Sequence, residues 1–159
     1  WTALHTPGHT ADHLCLYNRE TGVLLTGDHV LPSITPHIAG AGASVDVLSE
    51  YLRSLYEVAR LAVTVALPAH GHPFDDVEAR VTAIEAHHER RLAELFEIGA
   101  AIGLAPVAEY SRQLFAEGQW GFMADSETYA HLEHLRLRGD AVAEEADGEI
   151  RFSILEKTE

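Results

Sequence analysis

The chain has a single cysteine, Cys15, so no disulfide can form within it. Its place in the apolar run Leu14-Cys15-Leu16 reads as a small buried side chain rather than a nucleophile. No apolar run is long enough to cross a bilayer, and no membrane partner is expected. Basic residues are scarce: 11 Lys and Arg stand against 25 Asp and Glu, a formal charge of −14. That balance excludes a general affinity for phosphate backbones, which depends on clustered cations. The deficit is uneven. Residues 1–73 hold six acids and three bases, whereas residues 74–159 hold nineteen and eight, an acidic half that reads as solvated surface. No secretory leader is visible, and a cytoplasmic setting is the default expectation.

What is present suffices for a packed core: 159 residues, 47% of them hydrophobic, enough for one domain or one and a half. The end of a strand is expected at residues 1–4, with further strands at 13–17 and 23–26. Residues 30–43, rich in Pro and Gly and without periodicity, read as a long loop, of the kind that borders pockets. Residues 46–61 form an amphipathic helix with Leu48, Tyr51, Leu52, Leu55 and Val58 on one face, capped by Ser44 or Asp46. A β-branched strand follows at 63–67. A boundary is placed at 73/74. Beyond it a long helix runs to about residue 98, its inward side including Val81, Ile84, His88, Leu92 and Leu95, until Gly99 and Gly103 stop it. A short helix is expected at 107–117 with Pro106 at its first position. A second, capped by Ser126, runs to Arg138 and stops at Gly139. Residues 141–144 and 149–154 flank the hairpin turn Asp147-Gly148.

Three short, turn-rich loops each follow a strand and present His or Asp: His5-Thr6-Pro7-Gly8-His9-Thr10-Ala11-Asp12-His13, then Thr26-Gly27-Asp28-His29, then Leu67-Pro68-Ala69-His70-Gly71-His72-Pro73. Loops at strand ends can bring distant side chains to one point, and imidazole with carboxylate suits a divalent metal such as zinc. Pro7-Gly8 forces a sharp turn that can aim His9, and Gly27 permits close backbone approach.

This succession of P-G-H-T, T-G-D and P-x-H-G resembles the second half of the metallo-β-lactamase superfamily, which includes glyoxalase II-type thioesterases, lactonases, nucleases and lactamases. The family's first half carries H-x-H-x-D-H, which is absent here, and residue 1 is Trp. The expectation is therefore a C-terminal piece, with only three of about seven metal ligands, that binds metal poorly and is inactive alone. The resemblance implies an α+β fold: the C-terminal part of an αββα sandwich over 1–73, followed over 74–159 by a mostly helical, winged-helix-like domain led by a long helix. Such a domain occurs in the branch of beta-lactamase-like protein 2.

By position in the motif, His9 matches a ligand of a first metal, Asp28 the carboxylate that bridges two, and His70 a ligand of the second; Asp28 is also the one catalytic assignment. The resemblance implies two zinc ions and a hydroxide held between them as nucleophile. His13, where Asp12 replaces the glycine of a common T-P-G-H-T-x-G-H pattern, is expected to orient a ligand by hydrogen bonding. His37, in the long loop, is a candidate substrate contact. His5, His29 and His72 are read as packing, surface or neighbours of the site. His87 and His88, although His88 falls on the apolar side of its helix, are read by default as facing solvent or an interface, and His131 and His134 as an exposed helix face. The first functional expectation is a hydrolase of small thioesters or esters, of glyoxalase II type. An RNA-cleaving nuclease is the alternative, and a DNA-binding regulator using helix 126–138 a more distant one. The acidic half disfavours any nucleic-acid partner, as does a helix that offers Glu127, His131, Glu133 and His134, with only Arg136 and Arg138 near its end. A homo-oligomer is compatible with the sequence.

Overall fold

The computed structural model describes residues 1–40, 45–146 and 148–155. Contacts divide them into two units, residues 1–38 with 45–87 and residues 39–40 with 88–155. By contacts, the division falls inside a helix, at residues 87/88.

In the first unit, strands β1 (Thr2–His5), β2 (Leu14–Asn18), β3 (Val23–Gly27) and β4 (Val65–Pro68) make one sheet in the order β1-β2-β3-β4. β1 pairs antiparallel with β2 and β2 with β3, whereas β3 and β4 are parallel. Parallel neighbours need a crossover, and helix α1 (Val47–Ala59) lies between them in the chain. Asp46 caps α1, its Oδ1 accepting from the Ser49 amide at 3.0 Å; Ser44 lies outside the described residues. The 3.6-residue period places Leu48, Tyr51, Leu55 and Val58 in the core, each stabilising by about 1.5–3 kcal/mol through its burial. Ser54 joins that face because its hydroxyl reaches backbone carbonyls, Tyr51 O at 2.9 Å and Pro7 O at 3.0 Å.

The pairing has a consequence for the three loops. β1, β3 and β4 all run in one direction, so the loops that follow them leave the same edge of the sheet, and β2 starts there. After His70 the chain turns back, and Phe74 exchanges backbone hydrogen bonds with Ala66 at 2.7 and 3.1 Å.

Helix α2 spans Val77–Ile102. Gly99 does not stop it: the glycine is inside the helix because a Cβ there would come within 2.7 Å of Ile154 Cβ. Gly103, at φ +67°, ends it, its amide bonded to Gly99 O. In the second unit α3 is Val107–Leu114 and α4 is Phe122–Leu137, joined through a single 3₁₀ turn at Glu117–Gln119. α4 begins four residues before Ser126, with Gly121 at its N-cap, so Ser126 is a buried interior residue and not a cap. Pro106 precedes α3 instead of opening it and belongs to a short strand, β5 (Ala105–Pro106), which the sequence did not suggest. β5 pairs with β7 (Glu149–Ile154), and β7 with β6 (Ala141–Ala146). Asp147 of the hairpin turn lies outside the described residues; Gly148 has φ +77°. Among the described residues no helix is long and apolar enough to cross a membrane.

Candidate metal centre

The first loop is pinned before it delivers its histidine. The Thr6 amide donates to His13 O at 2.9 Å, closing the excursion between β1 and β2. Gly8 sits at φ +145° against Tyr51, whose ring a Cβ would overlap; only glycine fits such a turn. His9 follows, half-buried. Its Nδ1 lies 2.9 Å from the carbonyl oxygen of His37. A carbonyl can only accept, so Nδ1 bears the proton and Nε2 carries the lone pair of the neutral ring.

That Nε2 lies 3.9 Å from Asp28 Oδ2, and His70 Nε2 lies 3.4 Å from Asp28 Oδ1. The three residues singled out by the motifs thus come together, each imidazole facing a different oxygen of one carboxylate. Two donors bonded to one tetrahedral zinc at about 2.0–2.1 Å lie roughly 3.3 Å apart, close to the His70–Asp28 separation. An imidazole nitrogen and a carboxylate oxygen at such separations suit a cation held between them. The donor set fits two divalent ions sharing Asp28. Among the described residues no group of three or more His, Cys, Asp or Glu side chains is arranged to hold a metal ion by itself; the arrangement is two donor pairs with a common carboxylate.

Asp28 is held through its backbone. Its amide donates to His13 Nε2 at 3.2 Å, so His13 is protonated on Nδ1, which lies 2.8 Å from Thr6 Oγ1. The Thr6 hydroxyl donates a hydrogen bond to Cys15 Sγ at 3.4 Å, and the thiol donates to Thr26 O at 3.5 Å. The relay starts at Asp28, just past the end of β3, and returns to β3 at Thr26. Burial first, and His9 second, lower the His13 pKa, which favours the neutral ring this relay needs. Gly27, at φ +52°, lets His13 approach, since a Cβ would stand 2.6 Å from its Nε2. His13 therefore holds the backbone of Asp28 through its amide. Burial pushes the Cys15 thiol up to about 11, consistent with a packed and not a reactive sulfur.

His29 is core packing. It is fully buried, stacks on His13 and meets Tyr51 edge-on. Its pKa is lowered to about 3, by burial first. His5 and His72 are exposed. His131 and His134 do not form an exposed face, nor does His88: all three are buried. His131 Nδ1–H donates to Glu127 O at 2.8 Å, leaving its Nε2 to accept from His88 Nδ1 at 3.0 Å. Helical spacing puts His88 on the apolar side but does not reveal a polar partner 43 residues away. Thr6, which serves the site through its contact with His13 Nδ1, escapes the sequence reading, although its place inside the P-G-H loop is a usable signal.

Known proteins share this chain's pattern. The model of the Metallo-beta-lactamase superfamily matches residues 1–72. A Caenorhabditis elegans protein named beta-lactamase-like protein 2 homolog is 29% identical over 87% of this chain and 45% of its own length. A Bacillus subtilis protein named "Probable metallo-hydrolase YqjP" is 30% identical over 85% of this chain and 44% of its own. An Aspergillus fumigatus protein named atrochrysone carboxyl ACP thioesterase is 36% identical over 58% and 21%. The crystal structure of a metallo-beta-lactamase family protein from Thermus thermophilus matches with TM-score 0.85 and 34% identity, covering 96% of this chain and 48% of that one. The chain spans less than half the length of each of these proteins. Residues 1–72 belong to the metallo-beta-lactamase superfamily, and the chain has the fold of its members.

Proposed function

We propose that the full-length protein is a metal-dependent hydrolase of small thioesters or esters. The observation that carries this reading is the division of the Asp28 carboxylate, one oxygen toward His9 and the other toward His70. Zinc suits these donors. His9 would hold one ion, His70 the other, and Asp28 both. When bound, such ions lower the pKa of a water to about 7 and polarise the bond to be cleaved. The protein's own residues do the positioning: the His37 carbonyl sets the tautomer and direction of His9, and His13 holds the Asp28 backbone. No Ser, Cys or Lys nucleophile is required, and the raised thiol pKa of Cys15 argues against one.

Support for a thioester comes from the relative named as an acyl-carrier thioesterase. The charge of residues 74–159, nineteen acids against eight bases, argues for a small-molecule substrate over RNA. We read the second unit as winged-helix-like, from its order of helix, helix and hairpin, with no nucleic-acid role. The test is hydrolysis of a panel of acyl thioesters, esters and short RNA by the full-length protein, with metal content measured alongside. Thioester cleavage is expected, and Asp28→Asn should lower it by at least about a hundredfold while reducing bound metal. Cleavage of RNA alone, or undiminished turnover by Asp28→Asn, would overturn the reading.

A further inference from the structure

Residues 30–40 contain neither helix nor strand, yet their backbone is held at short intervals. The Thr26 hydroxyl donates to Val30 O at 2.9 Å. Arg80, in the first turns of α2, sends Nε–H to Leu31 O at 2.6 Å and Nη2–H to Ile34 O at 2.8 Å. Pro32 lies against Gly71, where an added Cβ would be 2.7 Å from Pro32 Cγ. His37 O accepts from His9. Val30, Leu31 and Ile38 are buried. The segment thus touches the His70 loop at Pro32 and the His9 loop at His37, and so borders both halves of the metal centre.

Ile34 lies between those two anchors and is 58% exposed. Three residues of chain reach at most about 11 Å, so its Cα is within that distance of His37. An exposed isoleucine on a loose loop would be unremarked. Here a guanidinium fork fixes the very peptide that carries it, and burial works against the Arg80 charge that makes the fork. A tied-down backbone presenting an exposed apolar side chain, three residues from the carbonyl that holds His9, suits a specificity pocket: few polar groups aligned, with an apolar wall near them.

We propose that residues 31–37 form a rigid wall of the metal centre, that Ile34 contacts an apolar acyl chain of the substrate, and that Arg80 is the positioning residue for that contact. The proposal rests on the hydrolase reading and narrows it to medium or long acyl groups. An octanoyl chain extends further from the metal centre than an acetyl group does, so the two substrates separate contact with the wall from chemistry at the metals.

The experiment uses the full-length protein with octanoyl- and acetyl-N-acetylcysteamine as substrates, and the S-octyl thioether as a non-hydrolysable ligand titrated by calorimetry. Ile34→Lys and Ile34→Ala should lower the octanoyl-to-acetyl ratio of kcat/KM, the Lys variant by at least about tenfold, through KM for the octanoyl substrate. They should weaken thioether binding in step. Arg80→Ala should shift the ratio in the same direction; a merely structural role would instead lower kcat for both substrates together. An unchanged ratio and unchanged thioether binding in Ile34→Lys would overturn this proposal and leave the hydrolase reading standing. Thioether binding that weakens in Ile34→Lys, with no thioester cleaved by any form, would keep the wall and overturn the thioesterase. Neither cleavage nor binding would overturn both.

Discussion

Replacing Gly27 with alanine should damage the site through His13 as well as through strain at residue 27 itself. Two costs can be separated. An alanine at φ +52° carries roughly 1–2 kcal/mol of backbone strain. The new methyl would stand 2.6 Å from His13 Nε2, and the ring cannot simply swing aside because Thr6 and the Asp28 amide hold it from both sides. Losing the bond to the Asp28 amide adds about 1 kcal/mol, for a total of about 2–3 kcal/mol. The chain divides into two units, so a single unfolding transition is not a safe readout. Hydrogen exchange at the Asp28 amide reports locally, and its protection factor should fall by one to two orders of magnitude in Gly27→Ala. His13→Ala alone should expose the same amide. In the double variant the methyl has no ring to meet, so Gly27→Ala should add only its backbone strain, a coupling of about 1 kcal/mol. Full protection of Asp28 in Gly27→Ala, or strict additivity in the cycle, would refute the reasoning.

Cys15 should resist alkylation at pH 8 in the native protein and react at once after denaturation, since it is fully buried with its thiol pushed up to about 11 from 9.0; rapid native labelling would contradict the relay. The same shift ties stability to alkaline pH. The folded state keeps a proton that the unfolded state releases, so the contribution is complete below pH 9, falls as pH rises, and is gone past about 11, roughly 2–3 kcal/mol in all. Cys15→Ala should flatten that part of a denaturation-versus-pH series. Gly99→Ala should destabilise the second unit by about 1–3 kcal/mol through overpacking against Ile154; hydrogen exchange of the α2 amides around residue 99 should show a smaller effect in an Ile154→Gly background, which removes the contacting Cβ.

Much of the site is legible in the sequence because its chemistry is local. Pro7-Gly8, Gly27 and Gly71 mark turns at which the chain leaves a strand, and His9, Asp28 and His70 sit within two residues of them. Element order follows from periodicity, so β1 to β4 and α1 emerge within a few residues of their observed ends. The misreadings share one cause. Taken along a helix by residue type alone, Gly99, Ser126 and His131 read as stop, cap and exposed polar group. Each is in fact decided by what stands opposite: Ile154 for Gly99, the core for Ser126, His88 for His131.

The sequence by itself determined which donors exist, in what order, and that turns deliver them, since turn geometry depends on a few consecutive residues. Only the tertiary structure decided their aim. Two antiparallel pairings and one parallel pairing bring the loops after β1, β3 and β4 to one sheet edge. The His37 carbonyl, 28 residues from His9, chooses its tautomer, and Arg80, 49 residues from Leu31, fastens the wall. A backbone carbonyl is the same group in every residue, so no residue type announces in advance which one a distant side chain will find.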